Sequence, residues 1–358
     1  MTRHGKWKRV LLLSAAVIGA ACAATPVGAQ QVPAPLDASA RATAINAAIA
    51  TFEQHYVFPD KAATIAAHLR TALQRGDYDA ITSGDKLAET LSAALQKEAG
   101  DHHLEVRYFA EALPEPSKGA GQAAAERAEE MAAQRRNNYG FTAVSRLPLN
   151  IGYVDLRAFG RPAGAAARIA AAMTLMADTR ALIIDLRKCG GGDPETVMLF
   201  ASYLFDKPTH LNDIYWRDEN RTERRWTRAN VPGAKYGGGR KLYVLTGANS
   251  FSAAEDFAYA MQASGRARLV GAVTKGGGAQ PGEPRRIDAH FMMFVPNGRA
   301  INPVTHSNWQ ETGVVPDLKV TEAKALDAAQ IEILKDVMAS DPDPHARQGA
   351  KDRLADLG

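Results

Sequence analysis

Thr246-Gly-Ala-Asn-Ser-Phe-Ser-Ala-Ala-Glu255 lies between a short apolar run, Lys241-Leu-Tyr-Val-Leu245, and an apolar-periodic stretch that ends near residue 264. The run predicts a buried strand, and the periodic stretch predicts an amphipathic helix that begins close to Ser252. The free N–H groups at such a helix start favour a developing negative charge, so a nucleophilic serine would gain most there. Taken alone, the stretch favours a simpler interpretation, in which Ser250 or Ser252 only caps the helix.

A second strand-to-helix turn is rich in glycine. The buried-strand pattern Ala181-Leu-Ile-Ile-Asp-Leu-Arg187 leads into Lys188-Cys-Gly-Gly-Gly-Asp-Pro194, and Pro194 suits the first turn of a following helix. Consecutive glycines let the backbone turn sharply and approach a ligand closely. Neither GxxxxGK[ST] nor GxGxxG occurs here, so the turn more plausibly presents N–H donors to an oxyanion than to a phosphate.

The order of the remaining elements predicts an α/β core with a largely parallel sheet, because strands and helices alternate from about residue 148 onward. Strands are predicted near 151–156, 181–186, 241–245, 268–272 and 292–295, and helices near 163–177, 194–205, 252–264 and 325–338. Apolar stripes at helical spacing across 38–99 predict about three helices before this core.

Three motifs in this order resemble the S41 serine peptidases. They are Asp-Leu-Arg-x-x-Gly-Gly-Gly at 185–192, Phe-Ser-Ala-Ala-Glu at 251–255 and Gly-Val-x-Pro-Asp at 313–317. The family includes the C-terminal processing proteases, the tricorn core proteases and the interphotoreceptor retinoid-binding protein repeats. The resemblance implies a ClpP/crotonase-like core of stacked βαβ units with a small N-terminal helical domain. The segments 137–141, 151–156 and 276–281 favour the retinoid-binding-protein-like branch.

These patterns together predict a division of the chain into five parts. They are a signal peptide at 1–29, an N-terminal helical domain at 38–110, a linker with an exposed helix at 111–147, the S41 catalytic core at 148–338 and a loosely ordered tail at 339–358. The interval between the helical domain and the core is too short for the PDZ domain that many processing proteases insert there.

The N-terminus predicts export. Basic residues precede a short apolar run beginning at Val10, and Val27-Gly-Ala29 fits a small-residue cleavage site. The run is too short for a membrane span, so the mature protein is expected to be periplasmic or secreted and to contain no spanning segment. A lipoprotein anchored through Cys22 is the disfavoured alternative. Cleavage would leave only Cys189, which we interpret as structural and which allows no intrachain disulfide.

Composition excludes several classes of function. The net charge of +4 falls largely on the signal segment, so the rest of the chain is nearly balanced. Basic residues between Arg217 and Arg228 alternate with acidic ones, which favours a solvated loop or a cleft wall over a nucleic-acid surface. Neither HExxH nor CxxC occurs, so the sequence implies no metal, and no cofactor is expected.

The resemblance assigns roles to individual residues. Ser252 matches the nucleophile, and His103, in Asp101-His-His-Leu-Glu-Val106, matches the histidine base of the tricorn-like branch. The oxyanion hole would combine the N–H of Ala253 with one from the glycine turn, for which Gly191 is the best candidate. The simpler interpretation is that His102 and His103 are surface residues of a helix-to-strand turn.

Two positions depart from the family pattern. Processing proteases carry a lysine base where this chain has Gly277, and Lys275, two residues earlier, is a disfavoured alternative base. The carboxylate that usually orients the base is replaced by Gln310, with Glu311 following it. Either Glu311 takes over the role, or the triad is Ser–His–Gln and weak.

The combined prediction is a secreted or periplasmic serine peptidase that hydrolyses polypeptides through a Ser–His–(Glu/Gln) triad and binds extended segments along a strand edge. The alternative is a catalytically weak or inactive protein of the same fold that binds hydrophobic ligands or peptides. Crotonase-like acyl-CoA chemistry shares the fold but explains Ser252 poorly, and fold alone does not settle function. The oligomeric state is not predicted.

Overall fold

A computed structural model of the chain describes residues 35–113, 120–282 and 284–357. The expected signal peptide at 1–29, its cleavage site and Cys22 lie outside these residues. Within the described ranges, every helix is too short or too polar to cross a lipid bilayer.

Helices and strands alternate along most of the chain. The helices are α1 (Ala38–His55), α2 (Pro59–Arg75), α3 (Gly84–Ala99), α4 (Ala120–Arg136), α5 (Pro162–Met176), α6 (Pro194–Ser202), α7 (Ala253–Ala263), α8 (Ala325–Ser340) and α9 (Pro344–Leu357). The strands are β1 (Glu105–Tyr108), β2 (Phe141–Leu147), β3 (Ile151–Leu156), β4 (Ala181–Asp185), β5 (Asp213–Trp216), β6 (Arg221–Glu223), β7 (Lys241–Thr246), β8 (Arg268–Gly271), β9 (Ala279–Pro281), β10 (Arg285–Arg286), β11 (Phe291–Phe294), β12 (Pro296–Ile301) and β13 (Leu318–Lys319).

The core is a six-stranded sheet in the order β13-β8-β7-β4-β3-β2. Its strands run parallel except β2, which pairs antiparallel with β3 at one edge. Parallel strands need cover on both faces, and β4 is accordingly buried at every residue. Leu182 and Ile184 pack towards α5, α6 and α7, whereas Ala181 and Ile183 pack towards α8 and α9. The predicted α/β core is confirmed.

This topology brings the two turns singled out in the sequence together. β4 and β7 are neighbours, with Asp185 opposite Leu245 at their carboxyl ends. Turns that follow neighbouring parallel strands leave the sheet at the same edge, which is where ligands bind in open α/β sheets. The glycine turn after β4 and the serine turn after β7 therefore lie side by side.

The first three helices form a second hydrophobic cluster with clear local signals. Asp37 and Ser83 accept capping hydrogen bonds at the starts of α1 and α3, and Gly76 and Gly100 end α2 and α3 in the left-handed conformation. The cluster also contains Phe291, Met293 and Val295, because β11 pairs with β1. The helical region at 38–110 is thus completed by a strand from far along the chain.

Three further features differ from the sequence-based expectations. Part of the expected linker, β2, is an edge strand of the main sheet. The expected loose tail contains α9, whose Ala346 and Ala350 are buried against α8 and whose preceding Asp341 pairs with Arg180. A four-stranded sheet, β6-β5-β12-β9, was not expected. β5, β6 and β9 have only three or four residues, and β12 contains proline and glycine, which obscure the alternating pattern. The polar residues of α9 hide its narrow apolar face.

Candidate active site

Ser252 is held in a strained backbone conformation at the start of α7. It is the N-cap residue, with φ 55° and ψ −117°, and is only partly buried. A positive φ costs a residue with a Cβ of order 1–3 kcal/mol and persists only where its surroundings enforce it. The Ser252 hydroxyl is thereby presented on a sharp strand-to-helix turn, which is the geometry that nucleophilic serines of other hydrolases use.

A buried carboxylate enforces this turn. Glu255 is fully buried and accepts hydrogen bonds from the N–H of Ser252 at 2.8 Å and the hydroxyl of Thr274 at 2.6 Å. It also accepts from the N–H groups of Gly276 and Gly277, at 2.6 and 2.8 Å. Burial raises the pKa of Glu255, and the four donors, which favour the ionised form, oppose that shift. The carboxylate thus ties the serine turn to the loop at 274–277.

The glycine turn lies directly against Ser252. Gly191 has φ 109°, and a Cβ placed there would be 2.9 Å from Ser252 Cβ and 3.3 Å from the backbone nitrogen of Ala253. No side chain could occupy this gap. Gly191 and Ala253, the two residues expected to donate to an oxyanion, are therefore neighbours beside the Ser252 hydroxyl.

The other candidate nucleophiles near this turn have structural roles. Ser250 is fully buried, donates its hydroxyl to the carbonyl oxygen of Leu186 at 2.7 Å and accepts from the N–H of Gly247 at 3.0 Å. Cys189 is buried, and burial raises the pKa of its thiol to about 12. A thiol that stays protonated near neutral pH is a poor nucleophile.

His103 comes from the N-terminal part of the chain and lies close to the Ser252 turn. Its ring stacks on Phe251, the residue before Ser252, with centroids 4.4 Å apart and planes inclined by 25°. Neither ring nitrogen has a hydrogen-bond partner among the residues that the structure describes. Catalytic hydrogen bonds are often formed only when substrate is bound, so this geometry is compatible with a base.

Gly277 shows why a lysine base does not fit beside this histidine. A Cβ at Gly277 would overlap the Phe251 ring and lie 2.8 Å from His103 Cε1. The stacked rings thus fill the space where the side chain of a processing protease's lysine would begin. Lys275 is exposed, with its Nζ 4.9 Å from the centroid of the Phe251 ring.

His102, the other histidine of this turn, is affected by the same lysine. Its partial burial and the charge of Lys275 both lower its pKa.

The carboxylate beside His103 is Asp101. Its Oδ1 lies 3.3 Å from His103 Nδ1 and accepts the N–H of His103 at 3.0 Å, while its Oδ2 accepts the hydroxyl of Tyr56 at 3.2 Å. Asp101 is fully buried. Burial and the charge of Asp101 both raise the pKa of Tyr56, which keeps this hydroxyl protonated as a donor.

Gln310 and Glu311, the two expected orienting residues, make other contacts. Gln310 accepts the N–H of Ala279 at 2.8 Å and donates to the carbonyl oxygen of Gly100 at 3.0 Å. Glu311 forms an ion pair with Lys61 at 2.7 Å, and its side chain is 51% exposed. Both residues hold the loop at 308–313 against the helices. A glutamate at 310 could not donate to the Gly100 carbonyl.

Sequence reasoning overlooked the contributions of Asp101 and Glu255, although both stand in quoted motifs. The signal for Asp101 was its spacing of two residues from His103, and the signal for Glu255 was its place one turn after Ser252. The described residues contain no cluster of histidine, cysteine and carboxylate side chains that could hold a metal ion.

The candidate site thus brings together a serine at a strand-to-helix turn, a glycine turn beside it and a histidine stacked on the adjacent phenylalanine. Two family models match the chain. Residues 150–320 match peptidase family S41, and residues 37–138 match the N-terminal domain of peptidase S41 in eukaryotic IRBP. The chain belongs to peptidase family S41.

Solved structures share the fold at low sequence identity. A lipoprotein from Streptococcus agalactiae is 14% identical, with a TM-score of 0.53 over 82% of this chain and 96% of that chain. A candidate peptidase from Parabacteroides merdae is 18% identical, with a TM-score of 0.54 over 78% of this chain and 90% of that chain. At these identities the likeness shows the fold and carries no information about individual site residues.

The packing of Gly277 generates a prediction. We expect Gly277→Ala to push the His103 ring away from Phe251 and to lower kcat/KM on peptide substrates by about 100-fold, since misplacement of a catalytic group by about 1 Å has that cost. Gly239→Ala is the matched control, because a Cβ at Gly239 meets no atom within 4 Å. Thermal unfolding of both variants separates loss of fold from loss of geometry. Equal activity of the two variants would contradict the packing argument.

Proposed function

We propose that the chain is a serine peptidase in which Ser252 is the nucleophile and His103 is the general base. The observation that carries this proposal is the strained Ser252 turn, with its Cβ against Gly191 and its N–H bound by Glu255. Strained backbone conformations cluster at functional sites. Membership in a peptidase family supports a polypeptide substrate.

In the proposed reaction, Ser252 Oγ attacks the scissile carbonyl carbon while His103 accepts the hydroxyl proton. The carbonyl oxygen becomes an oxyanion, which the N–H groups of Ala253 and Gly191 stabilise. One such donor contributes about 3–4 kcal/mol to the transition state. His103 then protonates the leaving amine, which departs and leaves an acyl group on Ser252. Water, deprotonated by His103, releases the acyl group and restores the serine.

We assign the orienting role to Asp101 rather than to Gln310 or Glu311. Asp101 is the carboxylate beside His103 Nδ1, and its burial would strengthen its attraction for an imidazolium. Glu311 is half exposed and is paired with Lys61, so its electrostatic stabilisation of a charged His103 would be weak. Lys275 is assigned no proton transfer, because its side chain is exposed.

The nucleophile assignment predicts that Ser252→Ala abolishes both peptide hydrolysis and covalent labelling by a fluorophosphonate probe, with the fold retained. Ser250→Ala is the matched control. It is expected to keep labelling, although loss of two buried hydrogen bonds should lower stability by about 1–3 kcal/mol. Mass spectrometry of the labelled peptide locates the modified serine. Labelling that persists in Ser252→Ala would show that another residue is the nucleophile.

The orienting assignment predicts a ranking of three substitutions. Asp101→Asn should lower kcat by about two to four orders of magnitude, because the amide no longer stabilises the imidazolium formed in the transition state. Glu311→Gln and Lys275→Ala should each retain most of the rate. Steady-state kinetics with separate kcat and KM values tests the ranking, and circular dichroism checks the fold. A large loss in Glu311→Gln with a near-normal Asp101→Asn would reverse the assignment.

An inactive protein that binds hydrophobic ligands or peptides is the second candidate. The observation that favours it is that neither His103 ring nitrogen makes a hydrogen bond in the described residues, although Asp101 Oδ1 lies 3.3 Å from Nδ1. The fluorophosphonate experiment separates the two candidates, because a serine without an effective base does not react with the probe. Failure of the wild-type chain to label would favour the binding protein.

We also propose that the protein is exported and acts in the periplasm or outside the cell. The support is the basic start, the apolar run from Val10 and the small-residue site at Val27-Gly-Ala29. The intact mass of the protein recovered from the periplasm or medium should correspond to a chain beginning close to residue 30. A lipid-modified N-terminus at Cys22 or an uncleaved cytoplasmic chain would contradict cleavage near Ala29.

A further inference from the structure

A cavity of about 730 Å³ lies beside the candidate active site. Its walls come from the carboxyl-terminal end of α4, the start of β2 and the segment at 157–160, and Gly192 closes it on the side of the glycine turn. The volume falls within the range of about 300–1,000 Å³ that is usual for ligand pockets. Nothing in the proposed proton transfers uses this space.

A continuous set of contacts connects the cavity to Ser252. Phe159, in the cavity wall, pairs with Gly192 and donates its N–H to the carbonyl oxygen of Gly191 at 2.8 Å. Gly191 in turn lies against Ser252, where an added Cβ would approach Ser252 Cβ to 2.9 Å. The cavity wall at Gly192 is therefore one residue away from the glycine that lies against Ser252.

The floor of the cavity is built rigidly. Asn138 and Tyr139 both have positive φ, and a Cβ at Gly140 would overlap the carbonyl of Ala158. Tyr139 is buried against Gly164, where an added Cβ would overlap its ring, and the Arg168 guanidinium lies 5.0 Å from the ring centroid. A turn locked in this way keeps its shape before ligand arrives, which lowers the entropic cost of binding.

Several of the charged and amide side chains in the lining already have protein partners. Glu130 pairs with Arg161 at 2.6 Å, and Arg136 pairs with Glu129 at 3.0 Å. Gln134 accepts the N–H of Arg161 and donates to Glu130. A charged substrate side chain would have to compete with these internal partners.

The remaining surface of the lining is largely apolar. It includes the side chains of Ala133, Phe141 and Phe159, which have no hydrogen-bonding groups. Arg157 adds one buried donor, its Nε, which has no hydrogen-bond partner among the described residues and suits a peptide carbonyl. The lining therefore complements an uncharged chain segment with a bulky side chain.

We propose that this cavity is a specificity pocket that receives a large apolar side chain of the substrate, close to the scissile bond. The proposal rests on the proposed peptidase function. It adds the substrate class, and it names Thr142 and Ala133, in the cavity wall, as positions where side-chain size controls selection.

The first test fills the pocket and measures selectivity. Peptides with phenylalanine, alanine, glutamate or lysine are compared at each position flanking the cut. For Thr142→Trp, we expect the ratio of kcat/KM for the phenylalanine peptide over the alanine peptide to fall at least tenfold at one position. The alanine peptide should stay within about threefold of wild type. Ser145→Trp is the matched control, because Ser145 is also exposed on β2 but does not line the cavity.

Ala133→Leu provides a second filling variant from the opposite wall, in case tryptophan at 142 disturbs the sheet edge. The same fall in the ratio is expected, with fluorophosphonate labelling of Ser252 unchanged. A ratio within twofold of wild type in both variants would overturn the proposal. A change confined to the glutamate or lysine peptides would show that the pocket selects charge, and would overturn the apolar assignment.

The second test does not depend on hydrolysis. Fluorescence anisotropy measures the binding of the phenylalanine and alanine peptides to Ser252→Ala and to the double variant with Thr142→Trp. The phenylalanine peptide should lose at least tenfold in affinity in the double variant, and the alanine peptide should change little. If these affinities are found and the wild-type protein has no peptidase activity, the proposed function is rejected and the pocket is retained. Equal affinity of both variants for the phenylalanine peptide would reject the pocket.

Discussion

The buried carboxylate of Glu255 is the interaction on which the rest of the candidate site depends. Its oxygens accept the N–H of Ser252, the hydroxyl of Thr274 and the N–H groups of Gly276 and Gly277. A buried carboxylate left without these donors would carry a large desolvation cost, so the turn and the loop are constrained to remain around it. The Glu255 carboxylate thus fixes the positions of both Ser252 and Gly277, the glycine next to the His103 ring.

The second constraint on the site is the contact between the α/β core and the N-terminal helical region. Ser252 belongs to the α/β core, whereas Asp101 and His103 follow α3 of the helical region. Gln310 links the regions because an amide both accepts from Ala279 and donates to Gly100. A residue that departs from the family pattern therefore has a physical role here, because Gln310 supports the turn that carries His103. The same loop pairs Glu311 with Lys61, which directs that carboxylate away from His103.

Much of the fold could be predicted from short-range patterns. The strands β3, β4, β7 and β8 and the helices α5 to α8 follow from apolar periodicity, and the two turns follow from glycine and capping residues. The prediction failed for α9 and for β5, β6, β9 and β12. The apolar face of α9 is narrow, β5, β6 and β9 are short, and β12 contains proline and glycine. Partners elsewhere in the chain therefore stabilise these elements more than local pattern does.

Short-range patterns along the chain specify the α/β class, the order of the elements and the serine at a helix start, because the backbone conformation of these segments depends on residues close together in the chain. The groups that surround His103 are set by contacts between residues far apart in the chain. Gln310 meets the carbonyl of Gly100 across 210 positions, and Glu311 meets Lys61 across 250. A one-residue difference in a turn redirects a side chain completely, and no local pattern specifies that direction. Asp101 is held beside the imidazole by the hydroxyl of Tyr56, which donates to its carboxylate, and by Gln310, which donates to the preceding residue, Gly100.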